Sequence, residues 1–219
     1  ENARRTVVRI GVGHLLAATL FPFVVEQFRK RHPEISIEIH DCLVEQLPRM
    51  VLNREVDFAI GSIRPGGDAS ELRFEPLFGD SIHVTTIPAA ARPLMKADRM
   101  RAAGVPVPWQ RLDREPMILV NAGNRIWTAI SATLAQRGLR LTVAHQVGLY
   151  STGIALARRG QGTLLLPGFC ARAPELGDLG ISPLIDPVVR WDVSVLYRRG
   201  APPSPRSVEL IELLRNSAS

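Results

Sequence analysis

The first sixty residues alternate between two hydrophobic periods, and that alternation restricts the fold more than any motif in the chain. Val7 to Val12 form a β-rich run ending at Gly13. An apolar stretch follows and reads as a helix from Pro22 to Arg31, with Phe21, Val24, Val25 and Phe28 at helical spacing. Pro22 is tolerated in a first turn, where its missing N–H would be unpaired anyway, and Pro33 closes the helix. From Ile35 to Ile39 the apolar residues alternate with Ser36, Glu38 and His40, the two-residue period of a strand. A second helix is expected from Glu45 to Asn53, with Leu47, Met50 and Val51 inward and Pro48 near its start, and a strand from Val56 to Gly61. Strand, helix, strand, helix, strand with short links specifies parallel βαβ units.

The remainder repeats the theme less regularly. Leu72 to Phe78 reads as a strand, Gly79-Asp80 as a turn, and Ser81 to Ile87 as a second strand. A Pro-, Ala- and Arg-rich stretch from Pro88 to Pro108 reads as a loop with a short helix. Pattern resumes with a strand at Met117 to Val120, a polar turn at Asn121-Ala122-Gly123-Asn124, and a helix through Ile126, Ile130 and Leu134 that Gly138 ends. A strand over Leu141–Val147 leads to a short helix through Arg159 that Ser151 or Thr152 can cap, with Gly160 and Gly162 as its stop. Strands follow at Thr163–Leu166, Ile181–Ile185 and Asp192–Tyr197. The last helix has Ser204 as N-cap, Pro205 in its first turn, and Val208, Ile211 and Leu214 as its apolar stripe. No internal repeat of fixed period is present.

Composition fits a folded α/β protein: 46% of the 219 residues are hydrophobic and 22% charged, which disfavours disorder and coiled coil. Two cysteines, Cys42 and Cys170, lack the spacing of a zinc or redox site, so no metal and no cofactor are expected. Lone thiols, the absence of a run of about 20 apolar residues and the absence of a signal-like opening point to the cytoplasm and away from a membrane. The chain opens Glu1-Asn2-Ala3-Arg4-Arg5 without an initiator methionine, from which we expect a fragment of a longer protein. The formal net charge is +6, but the arginines are scattered and aromatics are only 5%, so a nucleic-acid surface within the chain is not expected.

No motif supplies catalytic machinery. Gly11-Val12-Gly13 sits where a dinucleotide fingerprint would, but the third glycine position is Leu16, which leaves a tight strand-to-helix turn. His40, Asp41 and Cys42 adjoin in sequence, yet neighbours on a strand point to opposite faces and form no relay as a block. His14 is the histidine best placed for binding, because it lies in the first βα turn, where open α/β sheets hold ligands. Asn121 to Asn124, followed by Arg125, make a similar turn suited to an anion, with capping as the alternative role; Ser62 and Ser151-Thr152 share that ambiguity.

Taken in order, several blocks resemble the effector-binding domain of LysR-type transcriptional regulators. They are Arg9-Ile10-Gly11-Val12; Leu20-Phe21-Pro22 with Phe28-Arg29 and His32-Pro33; Leu47 through Asn53-Arg54-Glu55-Val56-Asp57-Phe58-Ala59-Ile60-Gly61; Glu75-Pro76-Leu77 before Ser81 to Ile87; and Ala155 to Gly162 with Leu164-Leu165-Leu166-Pro167. The resemblance runs from about Val8 to Leu214. It implies an α/β fold of two Rossmann-like lobes joined by two crossover strands, like periplasmic binding proteins of type II, with a small-molecule effector in the cleft. Lobe I would comprise residues 1–80 and 194–219, and lobe II residues 81–193. Carried over residue by residue, the effector site falls on Gly13, His14 and Leu15; on Cys42 to Val44, where Val44 replaces a common hydroxyl residue; on Ser62 and Ile63; on Asn121, Ala122, Gly123 and Asn124; and on Gly148 to Ser151 and Thr152. The resemblance further implies an N-terminal winged helix-turn-helix, outside these residues, that reads operator DNA, and self-association as dimer or tetramer with the first helix of one subunit against the second lobe of its mate. The net charge, the helix starts and Arg125 point to a carboxylate or other anion as effector, with Leu15 and Val44 facing an apolar portion. A transport-type solute-binding protein of the same fold is the alternative, and a small enzyme with two converging carboxylates a third.

Overall fold

The computed structural model describes residues 7–63, 70–85, 103–120 and 125–218. The chain divides into two compact units: unit 1 holds Glu1–Gly79 and Asp192–Ser219, and unit 2 holds Asp80–Trp191.

Unit 1 is built on β1 (Val7–Gly13), β2 (Ser36–Cys42) and β3 (Phe58–Gly61), with α1 (His14–Thr19), α2 (Phe21–Arg31) and α3 (Leu47–Leu52) between them. β1 lies between β2 and β3 and runs parallel to both, as the βαβ pattern requires. The return segment of β10 (Arg190–Arg198) adds antiparallel to β3 through Ser194, Val195 and Leu196. Side chains alternate across the sheet, so Val8, Ile10 and Val12 face one side while Gly11 and Gly13 face α3. On the α3 side Leu47, Val51, Val56, Ala59, Ile63, Leu72 and Leu196 form one core cluster.

The last helix, α6 (Pro205–Ser217), packs on α2. Ser204 caps it as expected, its hydroxyl accepting the Ser207 N–H at 3.2 Å. The expected stripe is corrected by one residue. Ser207, Leu210, Ile211 and Leu214 are buried, whereas Val208 is exposed, because the true stripe follows the 207/210/211/214 spacing. Phe21, Val24 and Phe28 are the buried residues of α2. His32, at its C-terminal end, is buried with Nε2 2.8 Å from Glu209 of α6.

Gly79-Asp80 is not a turn. The chain continues as one strand, β4 (Leu72–Thr85), across the boundary between the units. The Asp80 side chain accepts the Ser81 N–H at 2.7 Å and the Phe169 N–H at 3.1 Å, which stabilises an extended backbone where the residue pair alone suggests a reversal.

In unit 2, β8 (Thr163–Pro167) pairs antiparallel with β4 and parallel with β6 (Pro116–Val120), and β6 pairs parallel with β7 (Thr142–Val147). β9 (Ile181–Ile185) joins the other side of β4, and the two-residue β5 (Val107–Pro108) joins β9. Two helices, α4 (Arg125–Gln136) and α5 (Tyr150–Arg158), connect the parallel strands. α4 ends at Gly138, whose φ of 64° suits the left-handed stop. The core gathers Ile82, Val84, Trp109, Leu112, Met117, Ile130, Leu134 and Leu184. Trp109 is wholly buried and donates its indole N–H to Pro187 O at 2.9 Å, which meets the polar need of a buried tryptophan. Of the loop expected from Pro88 to Pro108, residues 88–102 lie outside the described residues.

Candidate functional site

The carboxyl ends of β1, β2 and β3 form the best-defined rim. Parallel register sets Gly13 opposite Cys42 and Val12 opposite Asp41, while Ile60 pairs with Val12 on the other flank. Gly13 has φ −58° and ψ 130°, an ordinary extended geometry, so the strand-to-helix turn does not explain the glycine. Close approach does. A Cβ on Gly13 would lie 2.8 Å from Val44 Cγ1, and one on Gly61 would lie 2.9 Å from Leu47 Cδ1 and 3.2 Å from Val44 Cγ1. Val44 therefore rests directly on two strand ends, with Ile63 Cγ1 3.5 Å from the same place on Gly61. The structure thus brings Gly13, Val44 and Ile63 together, flanked by half-buried Leu15 and Ser62.

His14 is the first residue of α1 and is exposed, with Nδ1 3.1 Å from Asp41 Oδ2. Asp41 escaped the reading of adjacent residues because its partner lies 27 positions away. The signal lay in the parallel pairing, which puts the residue after β1 beside the end of β2. The pair bears on ligand choice: a carboxylate beside His14 opposes an anion unless the imidazole is positively charged.

Cys42 ends β2 opposite Gly13; its thiol contacts Met50 Sδ at 3.6 Å, and with Val44 it packs on the α3 cluster. Burial, with the negative charges of Asp41 and Glu45, raises its pKa, so it is a weak nucleophile.

In unit 2, Ser151 and Thr152 are exposed in the first turn of α5, after β7. Neither caps the helix. Leu149 occupies the N-cap in an extended conformation, and no side chain accepts a bond there, so the expected capping role is corrected. Tyr150, next to them, has its hydroxyl pKa raised by burial and by Cys170. Asn121, Ala122, Gly123 and Asn124 lie outside the described residues. A second polar arrangement in unit 2 went unforeseen: Asp80 binds the backbone at the start of the 3-10 turn Gly168–Arg172, where a Cβ on Gly168 would lie 2.6 Å from Asp80 Oδ1. Burial raises the Asp80 pKa, an effect only partly offset by the Ser81, Phe169 and Gly168 N–H groups and by His83. Beside it, Trp191 stands 6.0 Å from the Phe169 ring, and its indole N–H is buried without a partner among the described residues.

Among the described residues no group of three or more His, Cys, Asp or Glu could hold a metal ion, and no helix is long and apolar enough to cross a membrane.

The chain is similar to known proteins over almost all of its length. The chain is 23% identical over 212 residues to the uncharacterized HTH-type transcriptional regulator YfeR of Shigella flexneri, covering 97% of this chain and 65% of the relative. It spans between 52% and 65% of the length of the curated relatives it matches, all named HTH-type transcriptional regulators. Its fold matches the BenM effector-binding domain solved with its effector benzoate, at TM-score 0.72 and 21% identity over 96% of this chain and 91% of that one. It also matches full-length CbnR complexed with its target DNA, at TM-score 0.73 and 14% identity over 97% of this chain and 71% of that one. The fold is thus of the periplasmic-binding-protein type II kind, and the relatives offer the transport alternative no support. The family model "LysR substrate binding domain" matches residues 1–219, and the chain belongs to that family.

Proposed function

We propose that this chain is the effector-sensing part of a LysR-type transcriptional regulator, and that the effector seats on the rim formed by Gly13, His14, Leu15, Val44, Ser62 and Ile63. The observation that carries the reading is the close seating of Val44 on Gly13 and Gly61, which leaves an apolar floor at the carboxyl ends of three parallel strands. Ligands of open α/β sheets bind at such ends. His14 supplies a polar group at the border of that floor, and Ser62 a hydroxyl beside it. Within unit 2, Ser151 and Thr152 are candidates on the resemblance alone, and the thiol of Cys42 in unit 1 is turned to Met50.

The effector fitting this rim has a small apolar body for the Val44 floor and one carboxylate, for which Ser62 offers a hydroxyl donor. The benzoate bound by the fold's relative BenM is of that chemistry. Effector binding shifts the population of regulator states, which an operator-reading segment outside these residues converts into altered DNA affinity. Self-association as dimer or tetramer belongs to the same reading. It is supported by the two sheet edges: β2 exposes Ile39, and β7 exposes Val143.

Isothermal titration of benzoate, benzamide and a small panel of aliphatic acids against the chain, His14→Ala and Ser62→Ala tests the site. The acid is expected to bind at least about tenfold more tightly than the amide, and each variant to weaken it about tenfold or more, since a charge-assisted hydrogen bond is worth roughly 1.5–3 kcal/mol. Unchanged affinity in both variants would sink the rim as the site.

A further inference from the structure

Scattered along the sequence, six arginines of unit 2 are gathered by its topology. β6 lies between β7 and β8, all three parallel, with Pro116 opposite Thr142 and Met117 opposite Thr163. The connections that enter these strands therefore emerge side by side, within about 10 Å across three strands spaced about 4.8 Å apart. Residues 111–115 bring Arg111 and Arg114, residues 137–141 bring Arg137 and Arg140, and residues 158–162 bring Arg158 and Arg159. All six are exposed. The grouping is fixed by backbone contacts: Arg114 N donates to Arg140 O at 3.0 Å, and Gly162 approaches Pro116 so closely that a Cβ would lie 3.0 Å from its carbonyl oxygen.

The counter-charge is partial. Asp113 lies 3.7 Å from Arg114, Asp178 lies 3.5 Å from Arg158, and Arg111 and the buried Glu115 have partners of their own. The side chains of Arg137, Arg140 and Arg159 make no ion pair with any described residue. This edge is opposite the ends of β6 and β7 at Val120 and Val147, and none of the rim residues of unit 1 lies on it.

We propose that this arginine edge docks on the phosphate backbone of duplex DNA without reading its sequence. Three features select that partner. Guanidinium groups in a row across three connections match a repeating anion better than a single small one, and they bind phosphate bidentately. No large hydrophobic residue is exposed on the three connections, so the edge lacks the apolar centre that a protein interface needs. Trp109 is buried and Trp127 packs on the core, so the edge offers no platform for stacking unpaired bases. The inference draws on the regulator reading only for the presence of DNA in the intact assembly.

Fluorescence anisotropy of a labelled duplex of about 30 base pairs and arbitrary sequence, titrated with the chain between about 50 and 200 mM salt, tests it. Binding is expected at the low end, falling steeply with salt. The triple variant Arg137→Gln, Arg140→Gln, Arg159→Gln should bind about tenfold or more weakly and flatten the log–log salt slope by about two to three, near one for each phosphate contact removed. Arg29→Gln with Arg49→Gln, both exposed on unit 1, should leave both quantities unchanged; thermal melting checks that the triple variant folds. No binding at about 50 mM salt, a triple variant indistinguishable from the parent, or competition by polyglutamate as strong as by unlabelled duplex each overturns the proposal, the last in favour of an acidic protein surface. Benzoate titration of the triple variant separates the two readings: the effector site can fail while the edge binds DNA, and the reverse.

Discussion

The two units share a βαβ plan but spend their charge differently. Residues 80–191 contain 13 basic and 7 acidic side chains, whereas the rest of the chain contains 14 of each, so the whole formal +6 belongs to unit 2. In unit 1 the charges pair: Arg9 with Glu38, Lys30 with Glu26, and Arg31, Arg206 and His32 with Glu209. In unit 2 six of the 13, Arg111, Arg114, Arg137, Arg140, Arg158 and Arg159, lie on the three connections that enter β6, β7 and β8. Net charge alone therefore says little about a partner; the strand order that assembles or disperses the charge says more.

The units also have separate cores, and truncating each tests whether they respond separately. Trp109→Ala in unit 2 and Phe28→Ala in unit 1 each remove a wholly buried ring and should cost about 3–5 kcal/mol by denaturant titration. Hydrogen exchange should lose protection first over β6 to β8 in the former and over β1 to β3 in the latter. Equal loss in both units for either variant would mean a single cooperative core.

Next in size is a contrast of glycines. Gly61→Ala places a methyl against Leu47 and Val44 at 2.9 and 3.2 Å and should cost about 1–3 kcal/mol, partly relieved by adding Val44→Ala. Gly153→Ala in α5 meets Leu164 and Val120 at 3.1 and 3.3 Å. There the gain in helix propensity, about 0.5–1 kcal/mol, should leave the net change near zero by thermal unfolding.

A smaller effect probes the charge pairing of unit 1. Partial burial acts to raise the Glu209 pKa, but the hydrogen bond from His32 and the neighbouring His32, Arg31 and Arg206 outweigh it and hold the carboxyl below its usual range. A carboxyl depressed in the folded state stabilises above its unfolded pKa and loses that contribution as pH falls through the folded one. Glu209→Gln should thus cost under about 1 kcal/mol at neutral pH, and the difference from the parent should shrink below about pH 4.3 in urea titrations. Smallest in stability are Ile39→Lys and Val143→Lys on the two sheet edges, expected within about 0.5 kcal/mol of the parent. Both should shift sedimentation towards monomer if the edges mediate self-association.

Unit 1 was the more legible of the two. Its strands have strict periods, its helices have proline in the first turn, and its links are short, so β1 to β3 and α2, α3 and α6 fall within a few residues of expectation. What escaped was long-range: Asp41 meeting His14, Glu209 meeting His32, and Val44 as the reason for Gly13. Such contacts depend on register, which local pattern does not encode. In unit 2 the chemistry of single residues misled. Gly79-Asp80 reads as a turn until the carboxylate finds Phe169 N, 89 positions away, and Ser151 and Thr152 read as caps although Leu149 occupies that position. Of the candidate site, the ends of β1 to β3 were legible as places in the chain, whereas the orientation of Cys42 towards Met50 required the packing of α3.

The discontinuity of unit 1 bears on how the chain is made. The paired part of its fourth strand, β10, and the helix that packs on α2 come from residues beyond Trp191, after an insertion of about 110 residues. During synthesis β1 to β3 emerge first but must wait with α2 uncovered and one flank of β3 unpaired, while unit 2, contiguous in sequence, can complete its own core. A folded insert brings Gly79 and Asp192 close before the last helix arrives, and so removes much of the entropy that closing so long a loop would cost. We expect unit 2 to be the early-folding body and the Phe21, Val24, Phe28 face of α2 the surface most exposed to chaperones on the ribosome. Pulse-labelled hydrogen exchange during refolding would test this order, which fails if α2 and α6 gain protection before β6.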